Sequence, residues 1–110
     1  MEIDFKTKRL QKQCNDDKEM VKIHGKERAE KLRKRLDDLR AALNLSVMKS
    51  LPGRCHELKG DKKGELAVDL VHPYRLIFKP AGENFKKKDG GLDWSAVTSI
   101  TITSIEDYHD

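Results

Sequence analysis

Glu65-Leu66-Ala67-Val68-Asp69-Leu70-Val71-His72-Pro73-Tyr74-Arg75-Leu76-Ile77-Phe78-Lys79 reads as two strands and the turn between them. Leu66, Val68 and Leu70 alternate with Ala67, Asp69 and Val71, so a strand over 65–71 is apolar on one side and mixed on the other. His72-Pro73 supplies the turn. The spacing then predicts a second strand over 74–79, with Arg75 and Ile77 on one face. Just upstream, Pro52-Gly53 opens a further strand over 54–59, joined to the first by the tight polar turn 60–64. Downstream, residues 80–95 carry Pro80, three glycines and Lys86-Lys87-Lys88, and read as a long exposed loop. The Thr-, Ile- and Val-rich stretch 96–105 predicts a last strand.

The N-terminal half has a different period. Ala29, Leu32, Leu36, Leu39 and Leu43 recur at steps of three and four, one apolar stripe on a helix over 26–43. Gly25 separates it from a helix over 7–23, with Leu10, Cys14 and Val21 on one face and Asn15-Asp16-Asp17 as a point of breakage or re-capping. Glu2-Ile3-Asp4-Phe5 alternates as a short edge strand does. Helices first and a strand meander after indicate an α+β fold. Two N-terminal helices would pack on a small, mainly antiparallel β-sheet, in a single domain over 1–110.

Of the 110 residues, 36% are apolar and 38% charged, so the chain can close one small core with little apolar surface left to enclose a substrate. No run suits a membrane helix, and the first residues lack a signal peptide's pattern, which leads to the expectation of an intracellular domain. Two cysteines with no CxxC or Cys/His cluster suggest neither a disulfide scaffold nor a metal site, and no cofactor motif appears. The net charge of +4 is unevenly spread: +5 over 1–50, +4 over 51–88 and −5 over 89–110. Such a chain can offer a basic surface to a polyanion or dock its own acidic end, and charge alone does not choose.

The residues able to carry chemistry are few. His56 lies in the strand between Cys55 and Glu57, and points to the face opposite both. Arg75, fixed on a strand, suits bidentate phosphate binding, with an ion pair to Asp69 or Glu65 as the plainer alternative. Lys59, Lys62 and Lys63 surround a turn and can steer a phosphate backbone or keep an edge soluble. The ending Glu106-Asp107-Tyr108-His109 offers an acid, a phenol and an imidazole in adjacent positions. His24 falls at the end of the first helix, His72 in a turn, and Cys55, beside His56, reads as a buried structural cysteine, with a reactive free thiol as the alternative.

Taken together, three stretches resemble the HigB-like killer toxins of the RelE/ParE superfamily: His56-Glu-Leu-Lys-Gly60, Tyr74-Arg-Leu-Ile-Phe78 and the terminal Asp107-Tyr108-His109. The resemblance implies a RelE-like fold and the toxin component of a type II toxin–antitoxin system, a cytoplasmic bacterial protein. It implies ribosome-dependent cleavage of mRNA by metal-free acid–base chemistry. Its partners would be the ribosome, mRNA and a cognate antitoxin, expected to be a helix-turn-helix DNA-binding protein. By the same resemblance His56, Arg75, Asp107, Tyr108 and His109 hold the catalytic positions, and Lys59, Lys62 and Lys63 meet RNA or the ribosome. Leu66 and Val68 stand where RelE-type toxins carry strand lysines, which points to the branch that uses histidine as proton carrier. A ParE-like gyrase inhibitor and a catalytically decayed antitoxin-binding module are the alternatives.

Overall fold

A computed structural model describes residues 1–107; Tyr108 and His109 lie outside the described residues. The chain runs β1 (Glu2–Phe5), α1 (Lys8–Asn15), α2 (Asp17–Ala41), β2 (His56–Glu57), β3 (Leu66–Asp69), β4 (Tyr74–Pro80) and β5 (Ser99–Asp107). Short 3-10 turns occupy Leu45–Ser50, Gly60–Lys62 and Trp94–Ala96. The five strands form one sheet in the order β1-β5-β4-β3-β2, antiparallel throughout except where β1 runs parallel to β5. Helices on one sheet face make this the α+β architecture expected from the sequence.

Local chemistry sets the helix boundaries. Thr7 accepts from the Leu10 amide to start α1. Asp16 ends that helix and starts the next, its carboxylate accepting from the amides of Lys18 and Glu19. The new start resets the helical phase, so Met20 enters the core and Val21 is left outside. Gly25, at φ 79° and ψ 164°, breaks α2 into two segments, giving three helical pieces instead of two. Its backbone conformation is one that few side-chain-bearing residues adopt.

Beyond the break, Ala29, Leu32, Leu36 and Leu39 bury the expected stripe. Leu43 does not join it. The helix stops at Ala41 and Leu43 is 84% exposed, while Leu45 and Met48 from the following turn fill the core. These side chains pack on Leu66, Val68, Leu70, Leu76, Phe78, Ile100 and Ile102 from the inner sheet face. Arg28 lies 3.6 Å over the Tyr74 ring and fixes the helix against β4.

Two strands are shorter than the sequence suggests. The segment 54–59 pairs only at His56 and Glu57, because Arg54 adopts a positive φ of 49° and Gly60 turns the chain again. The segment 65–71 pairs only over Leu66–Asp69 before the turn to β4. Residues 80–95 are more ordered than a loop. Lys86 pairs with Leu92, and Phe85, Leu92 and Trp94 pack against the core. No helix among the described residues is long and apolar enough to cross a membrane.

The outer sheet face is not bare. Leu58, Ala67 and Ile77 form a small second cluster there. The 59–63 turn folds back over this face far enough for Lys62 to reach Glu106 on β5, at 3.0 Å.

His24 provides a test of the helix packing. Its Nδ1 accepts from Arg28 Nε at 3.2 Å, so the neutral ring carries its proton on Nε2, which faces Gln13 Oε1 at 3.1 Å. Burial, and then the Arg28 charge, hold its pKa below the ordinary 6.5. The unfolded chain therefore binds the proton more readily. Stability is full while His24 is neutral and falls as pH drops from above 6.5 through the lower folded-state value. Thermal unfolding followed between pH 7.5 and 5 should show this decline, and His24→Gln should flatten it.

Candidate active site on the outer sheet face

Cross-strand register decides which side chains share the outer face. Asp69 on β3 stands opposite Arg75 on β4, and Arg75 stands opposite Glu106 on β5. His56 on β2 stands opposite Ala67, itself opposite Ile77. His56, Asp69, Arg75 and Glu106 therefore line one face, away from the helices. Strand spacing and rise put the His56 and Arg75 Cα atoms on the order of 12 Å apart.

Asp69 organises the row. Its Oδ2 accepts from Arg54 Nε at 2.7 Å, and its Oδ1 lies 3.2 Å from Arg75 Nε. Its backbone carbonyl accepts from Arg35 Nε at 2.8 Å, and its amide donates to the Gly53 carbonyl at 2.8 Å. The ion pair offered by the sequence as the plainer role of Arg75 is thus present. It does not exclude phosphate binding, because the same carboxylate also serves Arg54. Where β3 turns into β4, Arg54, Asp69, His72, Tyr74 and Arg75 border a small cavity of about 60 Å³.

His56 is joined to the same group. Its Nδ1 lies 2.6 Å from the Arg54 carbonyl oxygen. A carbonyl can only accept, so Nδ1 carries the proton, and in the neutral ring Nε2 is left as the basic nitrogen. Cys55, next in the chain, is a poor nucleophile: burial pushes its thiol up to about 12, with Lys49 opposing. Cys14 is raised to about 11 for the same reason.

The remaining expected residues are dispersed. Asp107 stands opposite Tyr74 on β4 and so belongs to the helix-bearing face, across the sheet from Arg75. Lys62 pairs with Glu106, whereas Lys59 and Lys63 border a separate groove of about 660 Å³ floored by Leu58, Leu66, Phe85 and Leu92. The three lysines do not form one patch.

Arg54 was not singled out as a site residue by the sequence, Asp69 entered only as an ion-pair partner of Arg75, and Glu106 only as a member of the terminal cluster. One signal for Glu106 was available. Ile100, Ile102 and Ile105 all pack toward the core, yet the last step is three residues where a strand repeats every two. A β-bulge at Thr103 makes up the difference, with Ile77 opposite Ser104 and Phe78 opposite Ile102. That shift places Glu106 opposite Arg75. No such pattern marks Arg54, whose position follows from the positive φ at Gly53 and at Arg54 itself.

The model of the HigB-like toxins, RelE-like toxins of type II toxin–antitoxin systems, matches residues 3–93. The chain belongs to the HigB-like toxin family. Solved structures agree on the fold of this HigB-like toxin. A YoeB/ParE toxin from Agrobacterium tumefaciens superposes with a TM-score of 0.60 at 13% identity, covering 99% of this chain and 100% of the other. The YoeB dimer from Staphylococcus aureus gives 0.57 at 19% identity, covering 100% and 98%. The YoeB–YefM complex from the same organism gives 0.56 at 18%, again covering 100% and 98%. No curated protein matches the chain in sequence. The family match ends at residue 93, so in this HigB-like toxin it includes His56, Arg54, Asp69 and Arg75 but not Glu106 or Asp107.

Gly53 tests how tightly the row is built. Its φ is 114°, and a Cβ added there would lie 2.9 Å from Arg35 Nε. Gly53→Ala should therefore lower stability in chemical denaturation by more than about 1 kcal/mol. A change of a few tenths would mean that Arg35 is not held as described.

Proposed function

We propose that this HigB-like toxin is a ribosome-dependent mRNA endoribonuclease, a single toxin domain over 1–110 acting in the bacterial cytoplasm. The observation that carries the reading is the arrangement of His56 and Arg75. They share the outer face, and His56 is held by the Arg54 carbonyl in the tautomer whose Nε2 can accept a proton.

In the proposed reaction an imidazole, His56 or His109, takes the proton of a ribose 2′-OH. The 2′ oxygen attacks the adjacent phosphorus, closing a cyclic phosphate, and the bond to the 5′ oxygen breaks. The other acid–base group delivers a proton to that leaving oxygen, so the downstream fragment begins with a 5′-hydroxyl. Arg75 stabilises the charge on the phosphoryl oxygens. Tyr108 contacts or stacks on a base. Asp107, placed across the sheet from Arg75, is assigned to charging or orienting His109. The small core leaves little room to enclose a substrate, so the ribosome holds the codon. Lys59, Lys62, Lys63 and the basic helices meet ribosomal RNA. A cognate antitoxin, a helix-turn-helix DNA-binding protein, neutralises the toxin.

The test is to induce the chain in a bacterium and map new mRNA 5′ ends on isolated ribosomes. New 5′-hydroxyl ends should appear with the wild type. His56→Ala or Arg75→Ala should slow their formation by about 100-fold or more. Growth arrest without new ends would overturn the reading, and a supercoiling assay would then test gyrase as the target. Undiminished cleavage by His109→Ala would remove that residue from the mechanism.

A further inference from the structure

The groove beside the 59–63 turn continues the outer face past His56. Asp69 and Arg75 form one cross-strand row, and His56, Ala67 and Ile77 form the next. Leu58 and Glu65 form a third, tied by the Leu58 amide donating to the Glu65 carbonyl at 2.9 Å. Successive rows stand two residues, or about 7 Å, apart along the strands, a distance that one nucleotide can span. The third row opens into the groove of about 660 Å³, floored by Leu58, Leu66, Phe85 and Leu92. Its far wall is the segment 85–93, fixed by the Lys86–Leu92 bridge and by the Asp93 amide donating to the Phe85 carbonyl at 2.8 Å. Phe85 and Leu92 are only half-buried, so apolar surface is left facing the groove.

The charged groups of this groove are incomplete. Lys59 and Lys63 on one side and Lys86 on the other have no ion pair among the described residues. Glu65 lines the same groove without a cation, and its Oε2 is buried with no hydrogen-bond partner. Buried polar atoms are rarely left so. The lysines need an anion, and the carboxylate needs N–H donors. An acidic peptide would satisfy the lysines but would be repelled by Glu57 and Glu65. A nucleotide carries both complements, a phosphate and the N–H groups of a base, with a flat face for the apolar floor.

We infer that the groove takes the mRNA nucleotide adjoining the cleaved bond, with its base on Phe85 and Leu92, its phosphate at Lys86, and Glu65 selecting guanine. The inference rests on the nuclease reading and adds a specificity-determining residue to it. Guanine follows from the geometry of its Watson–Crick edge, which alone offers two adjacent N–H donors, N1–H and N2–H, to the two carboxylate oxygens. Adenine and cytosine set one amino group beside an acceptor nitrogen. Uracil sets its single N–H between two carbonyl oxygens, which a carboxylate repels. Lys59 and Lys63 thereby border mRNA as well as ribosomal RNA.

The probes are two fluorescein-labelled hexaribonucleotides, methylated at every 2′ oxygen, alike except that one carries guanine and the other inosine, which lacks the 2-amino group. Affinity is read by anisotropy across a salt series. The wild type should bind the guanine probe about tenfold more tightly. Glu65→Gln should bring that ratio below about twofold without weakening the inosine probe, since it also removes a negative charge that faces the phosphates. Lys86→Ala should weaken both probes alike, keep the ratio, and lower the salt slope by about 0.7, the share of one single-strand phosphate. Thermal unfolding of each variant checks that the fold is intact.

No measurable binding by the wild type, equal affinity for the two probes, or a ratio unchanged in Glu65→Gln would overturn the inference. Binding untouched by both substitutions would also overturn it and leave the groove to a protein partner. Cleavage on ribosomes at sites indifferent to Glu65→Gln would sink this inference alone. A guanine preference lost in Glu65→Gln, with no cleavage on ribosomes, would instead sink the nuclease reading.

Discussion

The Asp69 residue joins parts of the chain that are otherwise far apart in sequence. Its carbonyl takes Arg35 from the second helix, its amide donates to Gly53, and its carboxylate takes Arg54 and Arg75. Arg35 is 5% exposed; the Asp69 carbonyl meets its Nε, while its buried Nη1 has no hydrogen-bond partner among the described residues. Gly53 is needed because the guanidinium passes where a Cβ would stand. The helix layer, the loop before β2 and the middle of the sheet thus depend on one another. Replacing the Asp69 side chain would remove the carboxylate shared by Arg54 and Arg75, while the backbone bonds to Arg35 and Gly53 can be made by any non-proline residue there.

This anchoring explains how a lean chain can display reactive groups. The helices cover one sheet face and bury nearly all the large apolar side chains. Among the described residues, only Leu58, Ala67 and Ile77 form a buried apolar cluster on the other face, beside the folded-back turn whose Lys62 reaches Glu106. The rest of that face is left to polar groups carried on strands, where cross-strand pairing fixes their positions more firmly than a loop would. A site of this kind is open. It suits a substrate held in place by something else, which accords with the proposed reliance on the ribosome.

Much of the fold was legible because it rests on periodicity. The helical stripe at Ala29, Leu32, Leu36 and Leu39 and the alternation in 65–79 place their elements without further information. Errors arose where one residue resets the phase. Asp16 restarts the helix and moves Val21 out; the stop at Ala41 does the same to Leu43. The site was legible in type but not in arrangement. Asp69 was already one of two candidate partners for Arg75, since the short turn leaves the two residues opposite each other. Which of Glu106 and Asp107 shares a face with Arg75 depends on a one-residue bulge, and such a shift exchanges the faces of everything beyond it. Arg54 depends on two positive φ angles, which composition does not reveal.

The central proposal is that RNA phosphate meets this protein at Arg75, which shares the outer sheet face with His56. Arginine side-chain Nε–H resonances report it directly, in a titration with a short non-cleavable RNA. The Arg75 signal should move and saturate, while Arg35, bonded to a backbone carbonyl, moves little. Shifts confined to the backbone amides of Lys86, Lys87 and Lys88, with the Arg75 signal unmoved, would contradict it.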